Sequence, residues 1–246
     1  MKILVCISKS PDTTTKIAFK ENNAQFDENN VQYIVNPYDE WYALVRALEL
    51  KEAGGGNVTI INVGLAENDA IIRKALAIGA DDAVRIDADP SDALYVAEQI
   101  AAYAKAQNFD LILAGKETIN YNGSAIGGMI SELLGLPYIS LATKLTMAGN
   151  TATIEQDIDG GTQVVECDLP LVISAAKGMA EQRIPNMRGI MAARTKPLTV
   201  VSAVDSAKLT AVKLYTLAAG RTECKYIDAS TPEKLIELLH TEAKVI

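Results

Sequence analysis

The chain has 246 residues, of which 49% are hydrophobic and 22% charged, enough apolar material for one large α/β domain with at most a small appendage. Its formal net charge of −8 argues against nucleic acid or an anionic membrane surface as the main partner. No apolar run approaches the ~18–20 residues of a membrane-spanning helix, so no membrane insertion is expected. The three cysteines, Cys6, Cys167 and Cys224, are odd in number and far apart, which implies no disulfide framework and a reducing, cytoplasmic location. None has metal-ligand spacing, so no metal is expected. The single histidine, His240, lies near the end of a C-terminal helical pattern, where a cation suits the helix dipole better than it suits catalysis.

The elements follow in order. Lys2–Ile7 is too short an apolar run for a signal peptide and reads as a first strand. A polar region containing Pro11, Asp12 and Thr13 is expected to be irregular, and Val31–Val35 is a short strand stopped by Asn36-Pro37. Proline suits a first helical turn, and Tyr38–Ala53 carries Trp41, Leu44, Val45 and Leu48 near helical spacing. Val58–Gly64 is a buried strand, Ala66–Ile78 a helix with Gly79 as its C-cap, and Ala83–Ile86 a short strand. Pro90-Ser91-Asp92 opens a helix running through Ala106. Strands alternating with helices of this length predict βαβ units and a parallel sheet.

The most informative stretch runs from Asp110 to Gly135. The compact run Leu111–Ala114 has the composition of a fully buried parallel strand and stops at Gly115. A polar loop follows, and Gly123-Ser124 leads into the helical pattern that begins with Ala125-Ile126 and ends at Gly135. Strand, small-residue loop and helix N-terminus together are the usual place for a phosphate, because free N–H groups point outward there.

Beyond Pro137 the pattern changes to alternation. Tyr138–Met147 and Thr151–Ile158 flank Gly149-Asn150 as a β-hairpin, and Thr162–Asp168 and Leu171–Ala175 add two more strands. Residues 177–194 mix methionine and isoleucine with Lys177, Arg183 and Arg188 and read either as an adaptable contact surface or as a short helix over Pro185–Arg194. Leu198–Ser202 is a strand. Ser230 with Glu233 three residues on predicts a capping box for a final helix, Lys234–Glu242. That helix has little of its own chain to pack on, so a partner is expected to cover it. The predicted fold class is α/β, a Rossmann-like (adenine nucleotide hydrolase-like) parallel sheet with helices on both faces, a β-hairpin extension and a C-terminal arm. Residues 1–200 form the nucleotide-binding domain, with 177–194 as a recognition loop, and 201–246 form the arm.

LVCISKSPD and NPYDEWYALVRALELKE near the start, DLILAGKETINYN in the middle, and DIDGGTQVVECDLPLVIS followed by IPNMRGIMAA give the chain a strong resemblance, over essentially its whole length, to the β subunit of electron transfer flavoprotein. The third stretch is the most specific, with Asp159-Gly160-Gly161, Gln163, Val165, Pro170 and Val172-Ile173-Ser174 in the family's spacing. One basic position of that pattern is Gln156 here.

The resemblance implies a heterodimer with an α subunit that holds most of the redox FAD, while the β subunit buries AMP as a structural ligand. It implies electron transfer from acyl-CoA dehydrogenase-type flavoenzymes, as in fatty acid β-oxidation, to a quinone reductase, with no bond chemistry of the chain's own. Carried over by position, the nucleotide pocket would use Cys6, Asn36, Pro37, Tyr38, Asp39 and Val63. From the middle stretch it would add Leu111, Gly115, Lys116, Asn120, Tyr121, Asn122, Gly123, Ser124, Ala125 and Ile126. The family's leucine that anchors dehydrogenases corresponds to Ile184, followed by Pro185, Asn186 and Met187.

The middle stretch departs from the family. An acidic run is replaced by Asn120-Tyr121-Asn122, and the threonine that would meet the phosphate is Ile126, with Ser124 as a substitute hydroxyl from the same turn. Two other readings stand beside the AMP form: an electron-bifurcating relative with a second FAD in this subunit, and a stand-alone adenine-nucleotide sensor of the universal-stress type. A P-loop ligase is disfavoured because no GKS/T motif is present.

Overall fold

The computed structural model describes residues 1–119, 121–220 and 223–246. In chain order, β1 (Lys2–Cys6), β2 (Lys9–Pro11), β3 (Phe19–Lys20), β4 (Gln25–Phe26) and β5 (Tyr33–Val35) precede α1 (Asp39–Gly54). Then come β6 (Asn57–Val63), α2 (Asp69–Ile78), β7 (Asp82–Asp87), α3 (Ala93–Gln107), β8 (Leu111–Gly115) and α4 (Ile126–Leu134). The last part has β9 (Tyr138–Ala148), β10 (Thr151–Ile158), β11 (Gly161–Asp168), β12 (Leu171–Ala175), α5 (Met187–Ala193), β13 (Leu198–Ser202) and α6 (Pro232–Leu238).

Among the described residues the main sheet has nine strands in the order β11-β10-β9-β12-β8-β1-β6-β7-β13. From β9 to β13 every neighbouring pair is parallel. The pairs β9–β10 and β10–β11 are antiparallel, so the hairpin extends the same sheet rather than forming a second one.

Period-two alternation in buried strands feeds two cores, one on each face. Ile3 and Val5 pack with Leu44, Leu48, Ile72 and Leu76 of α1 and α2. Leu4 and Cys6 pack on the other face with Ala97 and Ile100 of α3 and Ile130 of α4. Helices therefore cover both faces, as the near-continuous apolar strands require. Gly135, in the left-handed region at φ 65°, ends α4 where the sequence places the stop.

Three expectations change. The region after β1 is not irregular: β2 pairs antiparallel with β5, and β3 with β4 forms a small hairpin. These strands are two or three residues long, too short to show a period. The capping box does not form. Thr231 is the N-cap residue of α6 and makes no side-chain cap bond, while Ser230 Oγ donates to Asp228 Oδ1 at 2.7 Å. The Asp228 carboxylate sits closer to that hydroxyl than the first helical turn does, and Pro232 at the first turn has no N–H to cap.

The arm also runs partly along its own chain before leaving it. Gln99 Nε2 donates to the Val204 carbonyl at 3.0 Å, Thr210 N donates to Asp92 Oδ2 at 2.8 Å, and Tyr215 stacks on Phe19 at 4.9 Å. Only beyond that point does the arm leave the body, and α6 buries none of its residues.

Leu113 is fully buried at the centre of β8. Leu113→Ala should lower unfolding free energy by about 2–5 kcal/mol in urea denaturation while leaving the circular-dichroism spectrum of the native state unchanged.

Candidate functional site

The chain runs β1, β6, β7 to one side and then returns to place β8 on the other side of β1. Open α/β sheets bind ligands at such a reversal, beyond the carboxyl ends of the strands. Here the ends of β1 and β8 are covered by the start of α1 and by the loop from Lys116 to Ala125. Between them lies a cavity of about 180 Å³ lined by Tyr38, Asp39, Lys116, Glu117, Ile119, Asn122 and Lys177. Gly115 makes the close approach possible, since a Cβ there would lie 2.7 Å from Glu40 Cγ and 2.9 Å from its backbone nitrogen.

Glu117 organises the site. Its backbone N–H donates to Asp39 Oδ2 at 3.1 Å, and its carbonyl accepts from Asn36 Nδ2 at 2.8 Å. Its carboxylate pairs with Lys116 at 2.9 Å and accepts from Ser124 Oγ at 3.3 Å. The side-chain bond to Glu117 raises the Lys116 ammonium pKa, so the lysine is firmly charged. Asp39 is buried, and burial raises its carboxyl pKa against the opposing pull of the Glu117 N–H and Lys116. Asn36 is fully buried, and its Oδ1 has no hydrogen-bond partner among the described residues. A buried amide oxygen in that state costs about 1–3 kcal/mol unless a donor reaches it.

Behind the cavity, Glu40 is buried and accepts from Ser8 N at 2.9 Å and Ser8 Oγ at 2.8 Å. Burial dominates over those bonds and pushes its carboxyl up to about 8. Burial, with the nearby Glu40 carboxyl, also pushes the Cys6 thiol upward, which makes it a packing group rather than a nucleophile.

The expected pocket residues divide into three groups. Tyr38, Asp39, Lys116 and Asn122 line the cavity, Gly115 packs against Asp39 and Glu40 beside it, and Asn36 is tied to Glu117. The Pro37 carbonyl accepts from the Gln182 side chain, which ties this corner to the 177–194 segment. Ser124 takes the left-handed region (φ 50°) and directs its hydroxyl to Glu117, while Ala125 is the N-cap of α4 and adds no side-chain cap bond. The first N–H groups of α4 therefore face this loop without a capping side chain. Gly123 is exposed, and Tyr121 lies 69% exposed on the outside of the loop.

Cys6, Val63 and Ile126 pack into the α3/α4 core. Leu111 opens β8 at the far end of the strand, fully buried and about 13 Å of extended chain from Gly115. A strand's first residue cannot share a crevice with its last, so Leu111 is not part of the cavity. Asn120 lies outside the described residues.

Glu117, Glu40, Lys177 and Gln182 escaped the sequence reading. Glu117 is adjacent to Lys116, but nothing in a loop's spacing reveals which of its polar residues turns inward. Lys177 and Gln182 come from a segment about 60 residues away.

In the recognition segment, Ile184 is 85% and Met187 75% exposed. Asn186 caps α5 by accepting from Gly189 N at 2.8 Å, and Arg183 forks onto Glu52 at 2.6 and 3.2 Å. The segment is thus both a short helix and an exposed surface, since only Ala193 of α5 is buried. Among the described residues no cluster of metal-ligating side chains occurs, and no helix is long and apolar enough to cross a membrane.

A family model described as "Electron transfer flavoprotein domain" matches residues 23–206. "Electron transfer flavoprotein subunit beta" of Bacillus subtilis is 34% identical, covering 100% of both chains. The protein of that name from Syntrophomonas wolfei is 35% identical over 94% of this chain and 86% of its own length. "Electron transfer flavoprotein subunit beta, mitochondrial" of Arabidopsis thaliana is 29% identical over the full length of both.

The raised Glu40 carboxyl makes a pH prediction. Folding stabilises its protonated form, so the contribution is complete below about 4.5, the ordinary value, and is lost as pH rises toward about 8. Urea denaturation of wild type and Glu40→Gln from pH 5 to 9 should show wild type losing stability relative to the variant up to about pH 8 and no further change above it.

Proposed function

The chain belongs to the electron transfer flavoprotein family, as a β-subunit member, and from that premise we propose that it is the nucleotide-holding, dehydrogenase-docking half of a heterodimeric electron carrier. Membership makes it a flavin-associated electron-transport protein whose counterpart is an α subunit. The finer reading has three parts: an adenine nucleotide, AMP, at the β1/β8 crevice; a redox FAD held mainly by the α subunit; and docking of acyl-CoA dehydrogenase-type donors through Ile184, with a quinone reductase as the acceptor.

One observation supports the nucleotide reading above the others: the buried Oδ1 of Asn36 near the topological reversal of the sheet, which has no hydrogen-bond partner among the described residues. Such an oxygen suits an exocyclic amine of the kind adenine carries. The uncapped start of α4 and the lysines Lys116 and Lys177 suit a phosphate group. The residues present therefore fit an adenine nucleotide. The carboxylates of Asp39 and Glu117 at the same cavity favour a singly phosphorylated ligand over a more highly charged one.

When bound, FAD supplies one-electron redox chemistry. The chain's own work is mechanical and electrostatic. Gln182 and Arg183 tie the recognition segment to the crevice corner and to α1, and Ile184 presents an apolar tip to the donor. A buried aliphatic anchor ringed by polar groups has the make-up of an interface hot spot.

The α/β complex should purify yellow, with one FAD and one AMP per heterodimer; a colourless self-dimer carrying ATP would overturn the carrier reading in favour of the sensor. Asn36→Leu should lower AMP content severalfold with FAD content unchanged, measured by chromatography of the released nucleotides. Ile184→Ala should raise KM for the donor dehydrogenase by about fivefold or more with flavin content intact. Unchanged transfer kinetics would remove this loop from the docking surface.

A further inference from the structure

Beside the Ile184 tip is a second feature, an open cavity of about 370 Å³ between α2 and α5. Its walls are apolar, formed by Ala70 and Ala77 of α2 with Pro185 and Ile190 of the recognition segment, and Lys74 and Arg194 stand at its rim. We infer that this cavity is a socket, and that the electron-donating flavoprotein fills it with an apolar side chain flanked by carboxylates. The inference rests on the reading of Ile184 as the donor's docking tip.

The socket is preformed. Arg73 Nη1 donates to the Ala193 carbonyl at 2.7 Å and to the Lys196 carbonyl at 2.6 Å. Lys196 Nζ returns to α2, donating to the carbonyls of Leu76 and Ala80 at 2.9 and 2.5 Å. Gly189 lies so close to the Ala77 carbonyl that a Cβ would collide with it. These contacts hold α5 at one distance from α2, so the cavity between them does not have to open at the moment of binding, and a preorganised pocket loses less ordering entropy on association.

Charge selects the occupant. Residues 177–196 contain five basic residues and one acidic, in a chain whose net charge is −8. Within that segment Arg188 and Arg194 are exposed and make no side-chain hydrogen bond or ion pair among the described residues. An apolar cavity with Arg194 uncommitted at its lip, beside a Lys74 held only by the Tyr33 carbonyl, complements an apolar residue bracketed by Asp or Glu, and a basic patch on an acidic protein steers an acidic partner to this face. Ile184 and the socket then make a reciprocal contact: this chain inserts one side chain into the donor and receives one from it.

The test uses the α/β complex with an acyl-CoA dehydrogenase, reduced by its acyl-CoA substrate, as donor. Ala70 is exposed on α2, so Ala70→Phe fills the socket without touching a core, and Arg194→Glu reverses the rim. Each should raise KM for the dehydrogenase by at least about fivefold, with kcat at saturation, FAD content and reduction by dithionite unchanged. Arg194→Glu should also flatten the dependence of KM on ionic strength. Normal KM and salt dependence in both variants, with Ile184→Ala still impaired, would overturn the socket while leaving the docking tip in place. Normal KM in Ile184→Ala as well would remove both. If Ala70→Phe instead lowers heterodimer yield, the α subunit covers the cavity and the inference fails.

Discussion

Parallel pairing is the constraint from which the rest follows. Because β12, β8, β1, β6 and β7 all run the same way, their carboxyl ends emerge at one edge of the sheet, and every loop that could meet a ligand is delivered there. The reversal of strand order at β1 then separates the loops to either side and leaves room between them. The alternating residues that make this sheet stable, Ile3 and Val5 to one face and Leu4 and Cys6 to the other, decide which side chains cannot serve the crevice. Cys6 and Val63 reach the right end of their strands but point into the α3/α4 core.

Crevice and docking segment are one continuous surface. Lys177 lines the crevice cavity, Gln182 bonds the Pro37 carbonyl at its corner, Arg183 grips Glu52 of α1, and Ile184 follows immediately as an exposed tip. Eight residues thus connect the cavity to the exposed Ile184 with no helix or strand between them.

The distribution of charge separates the two roles. Carboxylates concentrate around the crevice, where Asp39, Glu40 and Glu117 are held by backbone N–H groups, Ser8 and Lys116. Cations concentrate on the α2–α5 face. The buried carboxyls of Asp39 and Glu40, whose pKa values burial raises, cost stability, and each is retained beside a hydrogen-bond donor that offsets part of that cost. Arg73, Lys74 and Lys196 there are held by backbone carbonyls, while Arg188 and Arg194 point outward with no side-chain partner among the described residues.

Residue pattern alone determined the architecture. Apolar runs such as Leu111–Ala114, the helical spacing of Trp41 to Leu48, and the punctuation by Gly79, Gly135 and Gly149 are local signals, and local signals specify strands, helices and their ends. The same pattern predicts a phosphate site after β8 and a contact surface or short helix within residues 177–194. What it left out was set by contacts between distant segments. The β2–β5 pair and the β3–β4 hairpin are too short to carry a period, and Ser230 was drawn to Asp228 instead of capping α6. Leu111, carried over with the whole stretch that resembles the family, lies at the opposite end of an extended strand from Gly115. Glu117 at the centre of the site, the buried Asn36 oxygen and the α2–α5 socket arise only when loops about 60 to 120 residues apart meet. Hydrophobic periodicity is encoded residue by residue, whereas the direction of a loop side chain depends on which neighbours the folded sheet brings to it, and only the tertiary structure decides that.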